Sequence, residues 1–309
     1  MRLSCPLIFS RCLCVLLVLV GMVGVFGFSH QAEGAACCLG GGGSSPLMTD
    51  LNQAELRISG SYSSVVAQSF GDEPLLFWDG QRSQTTWLWT PSLGYRFAED
   101  WQVGGSFDHV AQSYVFEGGG QESSSRLGDT RLMLAYEWLH PSPSFKPWPQ
   151  LFLSLEVLLP TGGGLEVGEG QGASRLGLHA FKRFGALRLS GDIRHSFFYP
   201  RSVGEIRLLT REQWNWSLGL LRSQAWSDWG YGLLLASTQR QGLRSESPLA
   251  GLRQGSDELF YEVTVYVIRS LGEQWTLNLS YSDQTILGPI KNTNLSRSLG
   301  LMLTHAWLQ

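Results

Sequence analysis

Charge is scarce in this chain. Only 16% of its 309 residues are charged and the formal net charge is -3, so no basic surface points to nucleic acid as a partner. Mean hydropathy is -0.04, too low for a protein that crosses a membrane with several helices. Cysteine is sparse as well. Of five, Cys5, Cys12 and Cys14 fall in an N-terminal segment, and the adjacent Cys37 and Cys38 have no distant partner with which to build a disulfide framework. Among His109, His179, His195 and His305 no pair has metal-ligand spacing and no cysteine joins them, so no metal and no cofactor is expected. The glycine runs at Gly40 to Gly43, Gly162 to Gly164 and Gly168-Glu169-Gly170 lack the Gly-Lys-Ser/Thr of a phosphate loop.

What the chain has in plenty is glycine and tryptophan, 37 and 12 residues, more than a soluble enzyme usually carries. Its first segment reads as an export signal. Arg2 and Arg11 precede an apolar run from Leu13 to Phe28, and the small residues Gly34-Ala35-Ala36 follow. The run is shorter than the ~20 residues a spanning helix prefers, which favours a cleaved signal peptide over residues 1–36 against an uncleaved anchor. Cys37 then stands where a bacterial lipoprotein carries its acylated cysteine, although Gly34 replaces the usual leucine. Cys37 is a lipidation candidate beside ordinary cleavage near the same place. Residues 37–53 read as a flexible Gly/Ser-rich tail, and 54–309 as one domain.

That domain alternates. Over Leu127–Trp138, Thr130, Leu132, Leu134, Tyr136 and Trp138 share one face, with Asp129, Arg131, Met133, Ala135 and Glu137 on the other. The run ending Leu159-Pro160-Thr161-Gly162-Gly163-Gly164 repeats the pattern, and Leu187 to Tyr199 shows it most clearly. A soluble sandwich also alternates, so a single pair of strands does not identify the solvent on each side. The whole set does more. About twelve strands are predicted, with odd connections long and polar and even ones mostly short, His140 to Trp148 excepted. Gly118 to Ser125 and Gln241 to Asp257 read as loops. Phe97, Trp101, Trp138, Phe184, Trp226, Trp229 and Trp275 gather at the short-turn ends, where an interfacial girdle belongs. The expected fold is all-β: an antiparallel transmembrane β-barrel of about twelve strands behind a signal peptide, in the outer membrane of a Gram-negative bacterium.

Gly128-Asp129-Thr130 opening one strand, and Leu159-Pro160-Thr161-Gly162 closing the next, resemble motifs of the outer-membrane barrel family named after the MetA pathway of phenol degradation. The resemblance implies a channel-forming or transporter-like barrel. The family often follows its Pro-Thr-Gly with an acidic loop. Here Gly162-Gly163-Gly164-Leu165-Glu166 stands in that place, so no ligand role carries over. The closing segment Leu299 to Trp307 resembles the terminal strand read by the barrel assembly machinery, although Leu308 and Gln309 follow the aromatic.

Inward parity collects an ionisable set. The candidates for a pore lining are Arg57, Arg96, Asp108, Asp129, Arg131, Glu137, Glu156, Arg175, Arg188, Asp192, Arg194 and Glu262, and Glu55, Arg207 and Arg211 share their parity. The same residues could instead form a salt-bridged interior that fills the barrel. Positive and negative members nearly balance, so weak ion selectivity is expected. Arg194-His195-Ser196 could suggest a lipid hydrolase, but adjacent strand residues face opposite ways and His195 cannot serve Ser196 as a base. No enzymatic activity is expected. The sequence thus favours a narrow channel or uptake protein for an unnamed small solute, with outer-membrane lipids and the assembly machinery as partners. The alternative is a non-conducting barrel whose long outer loops bind a partner.

Overall fold

A computed structural model describes residues 47–48 and 52–308, apart from 71–74, 79–81, 117, 140–147, 162–170, 204, 224–227, 243, 248–250 and 289. The signal segment, Cys37, Gly162-Gly163-Gly164 and Trp226 lie outside the described residues. The strands are β1 (Asn52–Gln68), β2 (Leu76–Phe77), β3 (Ser83–Ala98), β4 (Trp101–Val115), β5 (Gln121–Leu139) and β6 (Gln150–Leu159). Then come β7 (Ala173–Phe184), β8 (Leu187–Phe198), β9 (Arg201–Val203), β10 (Ile206–Leu208), β11 (Arg211–Ser223) and β12 (Trp229–Arg240). The last are β13 (Arg244–Ser247), β14 (Gly251–Gln254), β15 (Glu258–Ser270), β16 (Trp275–Asp283) and β17 (Asn294–Leu308). Twelve of these form one closed antiparallel barrel, in which β17 returns to pair with β1 from Asn52↔Leu308 to Gln68↔Asn294. Closure removes the sheet edge, so every barrel strand has a partner on both sides and the hydrocarbon meets no unpaired ladder.

The alternation in the sequence becomes inside and outside. In β5, Leu132 and Leu134 are exposed whereas Met133 and Ala135 are buried, and the same two-residue rhythm runs through the other barrel strands. Leu93, Leu176, Ile193, Leu218 and Leu299 are all exposed. A continuous apolar surface of this kind would drive aggregation in water, and in a bilayer it is the surface the lipid wets. Trp101, Trp138, Phe184, Trp229 and Trp275 are exposed at the short-turn ends of their strands, where the sequence places a girdle. There the His305 ring lies between Trp275 and Trp307, 4.4 Å from each. Gly60 leaves room for another outward aromatic: a Cβ at this position would stand 2.8 Å from the Trp89 ring.

Pro91 lies inside β3, opposite Ile58 of β1. On its other side the ladder to β4 stops at Trp89↔His109 and resumes at Ser92↔Ser106, as the missing donor of a strand proline requires. Inside the barrel, Thr90 Oγ1 donates to Asp108 Oδ1 at 2.7 Å across this break.

Three stretches differ from the sequence expectation. Gln121 to Ser125, read as loop, extend β5 and pair with Val115 to Ala111 of β4. Gln241 to Asp257 holds β13 and β14, which join β9 and β10 in a separate four-stranded sheet at the long-connection end. Arg207 belongs to β10 and is exposed there, outside the barrel wall. Each lies beyond the apolar belt, where a strand has no lipid face to mark with alternating hydrophobicity. A closed barrel resists detergent until it is heated. Unboiled protein is therefore expected to migrate faster in SDS than boiled protein, and identical mobility would contradict closure.

Candidate functional site

All twelve candidate lining residues fall on the inner face, buried or half-buried. Opposite charges are brought together within strands and between them. Arg131 grips both carboxylate oxygens of Asp108 at 3.0 and 2.5 Å, the two-point geometry that fits guanidinium to carboxylate. Arg175 reaches Glu156 at 2.6 Å, Arg194 reaches Asp192 at 3.0 Å and Arg96 reaches Glu137 at 3.3 Å. Arg57 pairs with Glu55. Glu262 accepts from Thr264 and Gln284, and the Arg188 guanidinium lies over the Phe181 ring. Asp129 is buried at a bulge, where the register between β4 and β5 shifts between Phe107 and His109. Such pairing keeps the interior charged and ordered together, since removing one member of a buried pair strands the other.

The wall opens around a cavity of about 150 Å³ near mid-barrel. Arg131, Arg175, Asp192 and Arg194 line one side, and Gln213, Asn215, Ser217, Ser237, Thr238, Arg240 and Glu262 continue around it. These groups are cross-linked: Ser217 donates to Asp192 at 2.6 Å, Asn215 to Thr238 at 2.7 Å and Arg240 to Gln213 at 2.8 Å. Nearby, Ser154 Oγ and His179 Nε2 stand 2.9 Å apart. Gly177 makes this contact possible, because a Cβ there would lie 2.5 Å from Ser154 Oγ. Asp192 sits opposite His179 in the ladder, but its oxygens are engaged by Ser217 and Arg194. Among the described residues none hydrogen-bonds to His179 Nδ1, so no carboxylate there orients the imidazole as a base.

The short-turn end is narrowed by the chain itself. Leu47 and Met48 are buried inside the barrel, although they belong to the stretch expected to be a flexible tail. Gln102 holds Met48 at two points: the Met48 N–H donates to Oε1 at 2.9 Å, and Nε2 donates to the Met48 carbonyl at 2.7 Å. Arg57 donates to the Leu47 carbonyl at 2.9 Å. The Leu47 side chain packs with Met133, Ala135, Phe152 and Phe181.

The motifs singled out in the sequence meet where β6 ends against the middle of β5. Thr161 donates to the Gly128 carbonyl at 3.0 Å, and the hydroxyls of Thr130 and Thr161 are 2.9 Å apart. Their contact fastens the end of β6 to the bulged middle of β5. His195 faces outward, stacked on Trp214 and 3.2 Å from Glu212, whereas Ser196 is buried and accepts from Arg175 at 2.9 Å. The opposite facing inferred from strand geometry separates them.

Much of the lumen is lined by neutral polar side chains. Gln102, Gln213 and Asn215 occupy inward positions of legible strands, so their parity could have found them. Leu47 and Met48 carry no such signal, because they precede the first alternating residue.

No protein-family model matches the sequence, and no curated protein does. Among solved structures, the COG4313 outer membrane channel from Pseudomonas putida F1 superimposes with a TM-score of 0.68 at 11% identity, over 84% of this chain and 97% of that one. The transport unit of the autotransporter AIDA-I from Escherichia coli gives 0.49 at 11% identity, over 85% and 93%. The NanC porin gives 0.48 at 8% identity, over 81% and 98%. With its twelve-stranded closure and apolar outer belt, the chain has the fold of a bacterial outer-membrane β-barrel.

Proposed function

We propose that this barrel conducts small polar solutes across the outer membrane through a narrow lumen. One observation carries the reading: a closed barrel with an apolar exterior encloses a cavity lined by guanidinium, carboxylate, amide and hydroxyl groups, with Leu158, Leu234, Ala236 and Phe260 between them. Eight strands leave just enough interior for side chains to fill, and sixteen or more leave an aqueous channel. Twelve fall between, and the paired arginines and carboxylates take up part of the difference. A solute entering such a lumen exchanges water for these polar groups without crossing hydrocarbon. By the rule that short turns face the periplasm, Leu47 and Met48 narrow the periplasmic mouth. Contact between the Gly128-Asp129-Thr130 and Leu159-Pro160-Thr161 segments supports a narrower placing beside the MetA-pathway-like barrels. The apolar belt and the closing strand β17 imply lipids and the barrel assembly machinery as partners. No chemical step is assigned to the lumen.

Burial of Leu47 and Met48 favours a second reading, a barrel that is closed at rest and serves as a structural or surface-binding element. Planar-bilayer recording separates the two. Purified protein is expected to give small, discrete conductance steps. Their absence at high voltage and high salt would leave the non-conducting barrel.

A further inference from the structure

We infer that the mid-barrel cavity is a binding site for a small hydroxylated carboxylate, a reading that rests on the channel function proposed above. The lining is electrostatically one-sided. Arg131, Arg175, Arg194 and Arg240 face the cavity with only Asp192 and Glu262, a net charge of +2 at the surface a solute touches. The carboxylates that fix the other guanidinium groups, Asp108 for Arg131 and Glu156 for Arg175, are not part of that lining. Glu258, 3.9 Å from Arg240, also lies outside it. Cations form the front and anions the backing.

This layering matters because of distance. Beyond a Debye length of ~8 Å the front and backing charges cancel, so bulk ion selectivity stays weak, as the sequence suggests. Within hydrogen-bonding reach a solute meets the arginines first, and a guanidinium fits a carboxylate better than it fits chloride. Both lining carboxylates are already occupied by donors, Asp192 by Ser217 and Arg194, and Glu262 by Thr264 and Gln284. Repulsion of an entering anion is reduced accordingly.

Size and the neighbouring neutral polar groups complete the assignment. At ~10–15 Å³ of probe-occupied volume per water, the cavity of about 150 Å³ holds on the order of ten waters. That suits a solute of similar heavy-atom count. Asn215 stands beside Arg194 in the ladder, and Ser237 and Thr238 share a strand with Arg240. Amide and hydroxyl partners for a solute's hydroxyls thus lie next to the guanidinium groups that would hold its carboxylate, while Leu158, Leu234 and Phe260 line the rest.

Radiolabelled uptake into proteoliposomes tests this with glycerate, its neutral analogue glycerol and its deoxy analogue propionate. Glycerate uptake is expected to saturate with concentration, whereas glycerol uptake rises linearly. Arg194→Gln, which leaves Ser217 on Asp192, should weaken glycerate half-saturation about tenfold and alter glycerol uptake far less. Asn215→Ala keeps every ion pair and should weaken glycerate several-fold but not propionate. Heat-modifiable mobility shows that each variant is folded. Linear glycerate uptake, insensitive to both substitutions, would overturn the site and leave the channel standing. Uptake of none of the three above protein-free liposomes would overturn the channel reading and the site with it.

Discussion

Leu218→Arg is expected to cost ~2–4 kcal/mol of barrel stability, whereas Ser217→Arg, one residue away, is expected to be tolerated. Leu218 is exposed near the middle of β11, opposite Gly191 of β8 and Leu235 of β12, where the bilayer is most apolar. An arginine there must thin the bilayer or snorkel toward a headgroup. Ser217 faces the cavity and already donates to Asp192, so a guanidinium there gains a carboxylate partner and enters a hydrated space. In equilibrium terms, ~2–4 kcal/mol is a factor of roughly thirty to several hundred in the folded population. Reversible urea unfolding in detergent-free vesicles measures it for both variants. Equal destabilisation would mean that lipid does not wet the Leu218 face, and the membrane assignment would fall with it.

The same contrast explains why so much of the barrel was legible. A transmembrane strand must satisfy two solvents at once, so its residues sort by parity and the sequence carries the sorting openly. Leu187 to Tyr199 divides into two faces from its alternation alone, and Asp192 and Arg194 from that run line the cavity. Where only one solvent is present the signal disappears. β13 and β14 stand in water on both sides, and Arg244-Ser245-Glu246-Ser247 reads as loop because no position in it has to be apolar. The Gly128–Asp129 bulge shifts the alternation by one residue, so Leu127 is exposed although strict parity with Leu132 and Leu134 would turn it inward. The cavity depends on a third kind of information. Residues distant in the chain, such as Arg131 and Arg240, line one cavity only because the sheet curls into a barrel. Parity names the face of each side chain and says nothing about its partner on the opposite wall.

Releasing Leu47 and Met48 should raise conductance more than any change to the lining, because they occupy the mouth through which every solute must pass. Two kinds of contact hold them. Gln102 pairs with the Met48 backbone as a neighbouring strand would, and Leu47 fills an apolar pocket with Met133, Phe152 and Phe181. Gln102→Ala removes two buried hydrogen bonds, worth ~0.5–1.5 kcal/mol each. Leu47→Asp places a carboxylate in that apolar pocket, which costs several kcal/mol unless it ionises in water outside. Both substitutions weaken the docked state and leave the closing ladder between β1 and β17 intact. Even ~3 kcal/mol between docked and undocked states shifts their ratio by more than a hundredfold. A segment docked nearly all the time would then spend much of its time out of the mouth. In planar bilayers the double variant should show larger steps and more frequent transitions than the parent, with Gln102→Ala alone intermediate. Unchanged step size in a heat-modifiable, correctly folded double variant would place the constriction elsewhere. The paired arginines at mid-barrel would then be the narrowest part of the path.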